Sequence, residues 1–459
     1  MEDTIAAITT ALGPAGVGII RISGADAGIV ADRVFRGKKG IKLGAKESHT
    51  VTYGYIEDTD GTVIDEALAL TMWGPHSYTG EDVVELQCHG GMIVERTVLE
   101  LVLKAGARLA EPGEYSKRAF LNGRLDLSQA EAIMDIIGAK TEISLRAAAG
   151  ALQGGITKES NAIRDRVTEI MAYLEADIDF PEEELERLTS DELQEKINVV
   201  EKAIAALTET YRSGHILREG LKTAIIGKPN AGKSSLLNAI LQEKRAIVTE
   251  IPGTTRDAIE EYYNMGGIPL LLIDTAGIRK TQDIVERLGV ERTKEIVEEA
   301  DIILYILDIS VGATREDFSY LRGFPAEKLL VVVNKVDLAG VEIKEQDILE
   351  KLQGYEVIFI SAKERIGLKK LEEAIYSKVF LHRLEPKQTQ ILTNTRQKDA
   401  LVKAGQAVRS ANDSLLRKMP SDFIAIDLRQ AWLYLGEITG ETLDEEIIDQ
   451  IFSRFCLGK

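Results

Sequence analysis

The stretch Gly227-Lys228-Pro229-Asn230-Ala231-Gly232-Lys233-Ser234 has the residue types and spacing needed to hold a row of phosphates. Its glycines let the backbone come close to an anion, so that successive N–H groups can surround a β-phosphate. Lys233 is then placed to neutralise β- and γ-oxygens, and Ser234 to hold Mg²⁺. Asp274-Thr275-Ala276-Gly277 follows a second apolar run, where Asp274 would reach Mg²⁺ through water and the Gly277 N–H would sense the γ-phosphate. Asn334-Lys335-Val336-Asp337 follows a third run. The Asp337 carboxylate can accept guanine N1–H and N2–H₂ together, a pair adenine does not offer. Ser361-Ala362-Lys363 follows Ile358-Phe359-Ile360 and places a backbone amide near guanine O6. Four motifs in this order, each at the carboxyl end of a strand, predict a guanine nucleotide site and favour GTP over ATP.

The hydrolytic groups are less legible. A Ras-like enzyme carries a water-orienting glutamine directly after the Asp-x-x-Gly motif, and that position here is Ile278. Arg279, Asp283 and Glu286 lie just downstream, each equally readable as a solvated charge. Asn230 carries a side-chain carbonyl at a point where it can help coordinate a monovalent cation beside the β- and γ-phosphates, in place of an arginine finger. It can equally cap the turn that follows.

The elements that must position these residues form three zones. From Met1 to about Phe120, the runs Gly18–Ile22, Ala67–Leu70 and Val83–Leu86 read as strands and Met92–Lys104 as a helix, giving a compact α/β domain. From Leu121 to about His215 the pattern is helical, with Ile163, Val167, Ile170, Leu174 and Ile178 on one face. The run Glu182-Glu183-Glu184 reads as a solvated helix start. From Leu221 to about Phe380, strand candidates Ala224–Ile226, Leu270–Ile273, Ile302–Tyr305 and Leu329–Val333 alternate with helices, the pattern of a parallel sheet covered on both faces. Beyond Pro386 the chain is helical again, with Leu443, Ile447, Ile448, Ile451, Phe452 and Phe455 on one stripe. The expected architecture is multidomain α/β: residues 1–120, a helical domain from 121–215 and 381–459, and a Ras-like P-loop domain, 216–380, inserted into it.

A chain of 459 residues exceeds one core and fits about two to four domains. Its composition, 44% hydrophobic and 28% charged, is that of a soluble globular protein. No apolar run is long enough to span a bilayer, and Met1-Glu2-Asp3 does not open a signal peptide. Two cysteines, Cys88 and Cys456, cannot form a disulfide framework, which favours a reducing cytoplasm. With 56 basic and 74 acidic residues the net charge is −18, so nonspecific nucleic-acid binding is disfavoured and RNA contact needs a local basic patch or a basic partner.

These motifs resemble the tRNA-modification GTPases of the MnmE (TrmE) family. Gly253-Thr254-Thr255-Arg256-Asp257 looks like that family's first switch, and Gly18-Ile19-Ile20-Arg21-Ile22-Ser23-Gly24 like its opening strand. Thr79–Leu86, His89-Gly90-Gly91, Pro112-Gly113-Glu114, Arg118–Asn122 and the closing Cys456-Leu457-Gly458-Lys459 are similar as well. The resemblance implies a potassium-activated GTPase. Asn230, Thr249, Ile251 and Thr254 would bind K⁺, and Thr255 would join Ser234 on Mg²⁺. Glu250, Pro252 and Gly253 of the first switch, with Ala231, Gly232, Thr275 and Ala276, would complete the GTP contacts. Glu286 would act on the attacking water through a bridging water, as the catalytic residue. Arg21, Glu85, Arg124 and Lys459 match a 5-formyltetrahydrofolate site in an N-terminal domain that also dimerises. Family members can carry lysine at Arg124, which keeps the cation and changes its hydrogen-bond geometry. Read without the resemblance, Arg21 and Glu85 are a surface ion pair. The implied partner is a basic, FAD-dependent protein that forms a heterotetramer or larger complex with the homodimer. Together they would add an aminomethyl-type (carboxymethylaminomethyl) group to carbon 5 of the wobble uridine of certain tRNAs, in the cytoplasm and without a membrane.

Cys456 is readable as a thiol in the modification chemistry or as a small residue finishing a helix, whereas Cys88, in an apolar run, reads as core. A second class is a ribosome-assembly GTPase switch without modification chemistry. Gly37-Lys38-Lys39-Gly40 matches a GxxG loop only superficially, because it precedes the nucleotide motifs and lacks the flanking apolar helix. A third is a folate-dependent methyl carrier with a fused nucleotide switch.

Overall fold

The computed structural model describes residues 3–38, 40–179, 189–243, 262–273, 297–338, 345–379 and 391–459. The chain divides into two compact units: one of Met1–Met134, Ser160–Leu185 and Lys418–Lys459, the other of Asp135–Glu159 and Glu186–Arg417.

The first unit is built on a seven-stranded sheet. Its strands are β1 (Ile5–Ile8), β2 (Gly18–Ser23), β3 (Phe35–Gly37), β4 (Thr50–Glu57), β5 (Val63–Met72), β6 (Val83–Cys88) and β7 (Arg108–Leu109), in the order β3-β4-β5-β6-β2-β1-β7. Every pairing is antiparallel except β1 with β7. Period-two alternation sorts the side chains of β2 and β6. Ile20, Ile22, Val84 and Leu86 enter a core with Val98, Leu101 and Val102 of helix Met92–Lys104. Arg21 and Glu85, out of phase with them, are left for the opposite face, and they sit directly across from each other in register. Cys88 is buried in the same core, as expected.

The long helix Gly155–Asp179, which belongs to this unit from Ser160 onward, buries Ile163, Val167, Ile170 and Leu174, but Ile178 is exposed, so the apolar face ends a turn earlier than the periodicity implied. Helix Ser421–Thr439 buries Ile424, Leu428, Ala431, Leu435 and Ile438 at three- and four-residue steps. Arg164 stacks on the Trp432 ring at 3.8 Å. The last helix is Glu445–Phe452, shorter than the stripe it carries. Ile448, Phe452 and Phe455 pack on Leu127 and Ala130, while Ile447 faces outward.

The second unit holds a six-stranded sheet of β8 (Leu221–Gly227), β9 (Tyr262–Met265), β10 (Ile268–Leu272), β11 (Ile302–Asp308), β12 (Leu329–Asn334) and β13 (Val357–Phe359). The order is β13-β12-β11-β8-β10-β9, parallel throughout except for the β9–β10 hairpin, whose turn uses Gly266 and Gly267 at positive φ. β11 and β12 are buried on both faces, which is why they read as unbroken apolar runs. Two cores result, one containing Leu236, Ile240, Leu304, Val332 and Leu371, the other Ile303, Tyr305, Leu321, Val331 and Ile348. Helix Ser190–Glu209 opens with a capping box between Thr189 and Glu192 and packs against Thr395–Leu416 from the far flank. The run Glu182–Glu184 lies outside the described residues.

Candidate functional site

β8 delivers the chain into the phosphate loop, and helix Lys233–Glu243 leaves it. Gly227 pairs with Ile306, and a side chain there would meet the Ile306 carbonyl at 2.5 Å. Asn230 takes a left-handed backbone, φ 62°, and its side chain is exposed. Ala231 is buried and Ser234 exposed. Lys233 folds back on the loop and donates to the carbonyls of Gly227 at 2.6 Å and Lys228 at 2.7 Å. Burial holds its ammonium below the usual lysine range.

Parallel topology brings the ends of β12 and β13 beside this loop. Asn334, 2% exposed, joins the motifs: its Nδ2 donates to the Ala231 carbonyl, and its Oδ1 accepts the Ala362 amide, both at 3.0 Å. Gly232 must stay glycine here, since a Cβ would stand 2.0 Å from Asn334 Nδ2 and φ is +101°. Lys335, also left-handed, donates to Asp308 Oδ2 at 2.6 Å. Ser361 Oγ donates to Asp337 Oδ1 at 2.6 Å, and that bond is the main cause holding the Asp337 carboxyl below its ordinary range. A cavity of about 380 Å³ opens among these residues, lined by Asn334, Lys335, Asp337, Ala362 and Lys363. Sequence reasoning did not find Ser235, Asn238 and Arg365, which line it too. Arg365 carries a signal only in hindsight, a left-handed residue in the tight turn closed by the Ser361–Ile366 bridge.

Thr249, Glu250, Ile251, Pro252, Gly253, Thr254 and Thr255 lie outside the described residues, as do Asp274, Thr275, Ala276, Gly277, Ile278, Arg279, Asp283 and Glu286.

The first unit gathers a second set of residues. Arg21 and Glu85 form an ion pair at 2.8 Å with both side chains largely buried. The Arg21 guanidinium lies over the Tyr78 ring at 4.7 Å and that of Arg124 lies 5.6 Å from the same ring. Tyr115, fully buried, donates its hydroxyl to the Arg21 carbonyl at 2.7 Å. Residues 456–459 reach this region because Gly113 and Gly458 permit close backbone approach. A Cβ on Gly113 would meet the Phe452 carbonyl at 2.2 Å, and one on Gly458 the Ile8 carbonyl at 2.5 Å. Lys459 is thereby half-buried, and burial followed by the nearby charge of Arg21 pulls its ammonium down. Arg21 Nη1 is buried with no hydrogen-bond partner in the described structure, a donor left over in a cluster of cations. Cys456 is exposed beyond the helix end, so it does not finish the helix as a packed residue.

A family model described as the MnmE helical domain matches residues 127–456, and one described as the GTP-binding protein TrmE N-terminus matches residues 4–124. The chain belongs to the MnmE (TrmE) family. Relatives named tRNA modification GTPase MnmE match it from end to end. Those of Alkaliphilus metalliredigens and Clostridioides difficile are 49% identical, and that of Symbiobacterium thermophilum 50%, with all of both chains covered. A crystal structure of Aquifex aeolicus Era bound to GDP·AlF₄⁻ is 28% identical over 40% of this chain and 66% of that one, with a TM-score of 0.27. The fold class is accordingly an N-terminal TrmE domain, a helical domain and a Ras-like P-loop domain, and the class of protein a tRNA modification GTPase. Among the described residues no helix is long and apolar enough to cross a membrane.

Proposed function

We propose that this MnmE-family chain is a potassium-activated GTPase that acts with an FAD-dependent partner on carbon 5 of the wobble uridine of certain tRNAs, adding a carboxymethylaminomethyl-type group. The observation that carries the GTP half is the cavity in which Asn334, Asp337, Ala362 and Lys363 meet beside the phosphate loop. Ring-edge donors of guanine suit the Asp337 carboxylate, and the loop N–H groups with Lys233 suit the phosphates. Ser234 and Thr255 would hold Mg²⁺, which takes most of its remaining ligands from phosphate and water. Asn230, with Thr249, Ile251 and Thr254, would hold K⁺ and so place positive charge where an arginine finger stands in other GTPases. Glu286 would position the attacking water.

The set Arg21, Glu85, Arg124 and Lys459 would hold a 5-formyltetrahydrofolate. Its excess of cations suits a carboxylate-bearing ligand, and the spare Arg21 Nη1 supplies a donor. When bound, the folate would supply a one-carbon unit, and Arg21, Glu85 and Lys459 would be the residues that hold it. We further propose domains 1–120, 121–215 with 381–459, and 216–380, a homodimer through the N-terminal domains, and a cytoplasmic location. An acidic chain of −18 leaves much of the RNA affinity to a basic partner.

Nucleoside analysis of tRNA from cells depleted of this chain tests the reading. Loss of the wobble modification is expected. Normal tRNA with stalled ribosomal particles would instead establish the ribosome-assembly reading. GTP hydrolysis should also collapse when potassium is exchanged for sodium at equal ionic strength, and Asn230→Ala should lose the potassium response.

A further inference from the structure

Lys228, the second residue of the phosphate loop, is committed to a network that the phosphate-binding motif does not require. Its Nζ donates to Thr314 Oγ1 at 2.5 Å and to Asp317 Oδ2 at 3.0 Å, and pairs with Glu316 Oε2 at 3.2 Å. All three acceptors stand at the head of helix Arg315–Gly323. Asp317 is 1% exposed and saturated with donors. Its Oδ2 also accepts the Thr314 amide at 2.8 Å and hydroxyl at 2.7 Å, and its Oδ1 accepts the Tyr305 hydroxyl at 2.8 Å. Tyr305, fully buried in β11, pairs with Ile226 of β8, the residue before Gly227. Burial opposes the Asp317 charge, yet these donors outweigh it and keep the carboxyl below its ordinary range. The network therefore joins the loop, the central strand and the following helix into one hydrogen-bonded frame.

The main chain of Lys228 has a separate task. Its carbonyl accepts Lys233 Nζ, so the phosphate-binding lysine rests on a residue whose own side chain is pinned elsewhere. A loop of successive N–H groups binds an anion well only if it already holds its open shape before the ligand arrives, because ordering it afterwards costs affinity. Once Lys228 loses its ammonium, the buried Asp317 loses the cation paired with it, and the start of the loop is no longer tied to helix Arg315–Gly323, keeping only its main-chain bonds and those from Lys233.

The geometry points to Lys228 as a positioning residue: pinned by Thr314, Glu316 and Asp317, it holds the phosphate loop in the open shape that receives the β-phosphate of a guanine nucleotide. This rests on the GTP reading above, and it adds a residue that acts through the loop without touching the nucleotide.

The test is titration of the full chain with a fluorescent GDP analogue, with steady-state GTP hydrolysis and thermal unfolding measured alongside. Wild type must bind first; if it does not, the GTP reading itself fails and the role of Lys228 is not what has failed. Lys228→Met should weaken GDP binding about tenfold, the scale of one charge-assisted hydrogen bond, and should raise KM for GTP by more than it lowers kcat. Lys228→Arg, which can reach the same carboxylates, should restore affinity to within about threefold of wild type. A Lys228→Met chain that binds GDP within about twofold of wild type overturns the proposal, whether or not its melting temperature drops. So does failure of Lys228→Arg to restore binding, since then the pinned cation is not what matters. Because Asp317→Asn disturbs a fully buried group, it serves only as a second arm: combined with Lys228→Met it should add less than its own separate effect.

Discussion

Replacing Asn334 with alanine should separate two loops that are distant in sequence and adjacent in space. The side chain makes one bond to the phosphate loop, through the Ala231 carbonyl, and one to the base loop, through the Ala362 amide. Ala231 and Ala362 are 3% and 5% exposed, so both main-chain groups would be left buried without a partner. Each such loss costs about 1–3 kcal/mol, giving roughly 2–6 kcal/mol for the pair. Asn334 itself lines the cavity, so water can enter and re-satisfy part of this, which places the effect near about 2–3 kcal/mol. If the loops lose their relative position by that amount, GDP affinity falls at least about thirtyfold. Asn334→Asp keeps the acceptor for Ala362 but sets a carboxylate oxygen against the Ala231 carbonyl, so it should be no better than alanine. The assay is fluorescent GDP titration, with circular dichroism to verify that the fold survives. Affinity within about threefold of wild type in a folded Asn334→Ala chain, or clearly tighter binding by the aspartate variant, would refute the reasoning.

Asp337→Asn should weaken GTP and favour xanthosine nucleotides, whose ring edge presents the complementary groups; unchanged GTP affinity removes Asp337 from base recognition. Glu286→Ala should bind GTP nearly normally and hydrolyse it at least about a hundredfold more slowly, and a single-turnover rate within about threefold of wild type would shift the role to Arg279 or Asp283. Deleting residues 456–459 should weaken formyl-tetrahydrofolate binding in calorimetry while leaving potassium-stimulated hydrolysis largely intact, because Lys459 adjoins Arg21 and every described GTP-site group lies elsewhere in the chain; normal folate affinity in the truncated chain would show the tail to be packing alone. Acid should destabilise the first unit through Glu114. Burial opposes its charge, but Arg108, the Glu111 amide and Arg118 hold its folded pKa below 4.5. The stabilisation is therefore complete above about pH 4.5 and is lost as pH falls through the lowered value. Melting curves of Glu114→Gln should be flatter over that acid window than those of wild type, and identical slopes would refute the assignment.

The nucleotide motifs were legible because they are local. A phosphate loop must follow a strand and open a helix, and the base-reading residues must sit at strand ends, so order and spacing along the chain carry the information. The same holds for β2, where alternation places Ile20 and Ile22 on one face and Arg21 on the other, and for the boundaries of helix Met92–Lys104. Apolar periodicity was informative only where a partner exists: Ile163 through Leu174 are buried, while Ile178 and Ile447 continue their stripes into solvent. Tertiary structure alone decided the contacts between residues far apart in the chain. The Asn334 bridge to Ala231 spans 103 positions, and the Lys228 bond to Asp317 spans 89. Lys459 lies beside Arg21 only because glycines at 113 and 458 admit the closing segment against the sheet. No period or motif records such pairings, since they depend on which strands become neighbours and how closely backbones approach. The sequence by itself therefore determined the chemistry this protein can hold, and packing determined which side chains stand together to perform it.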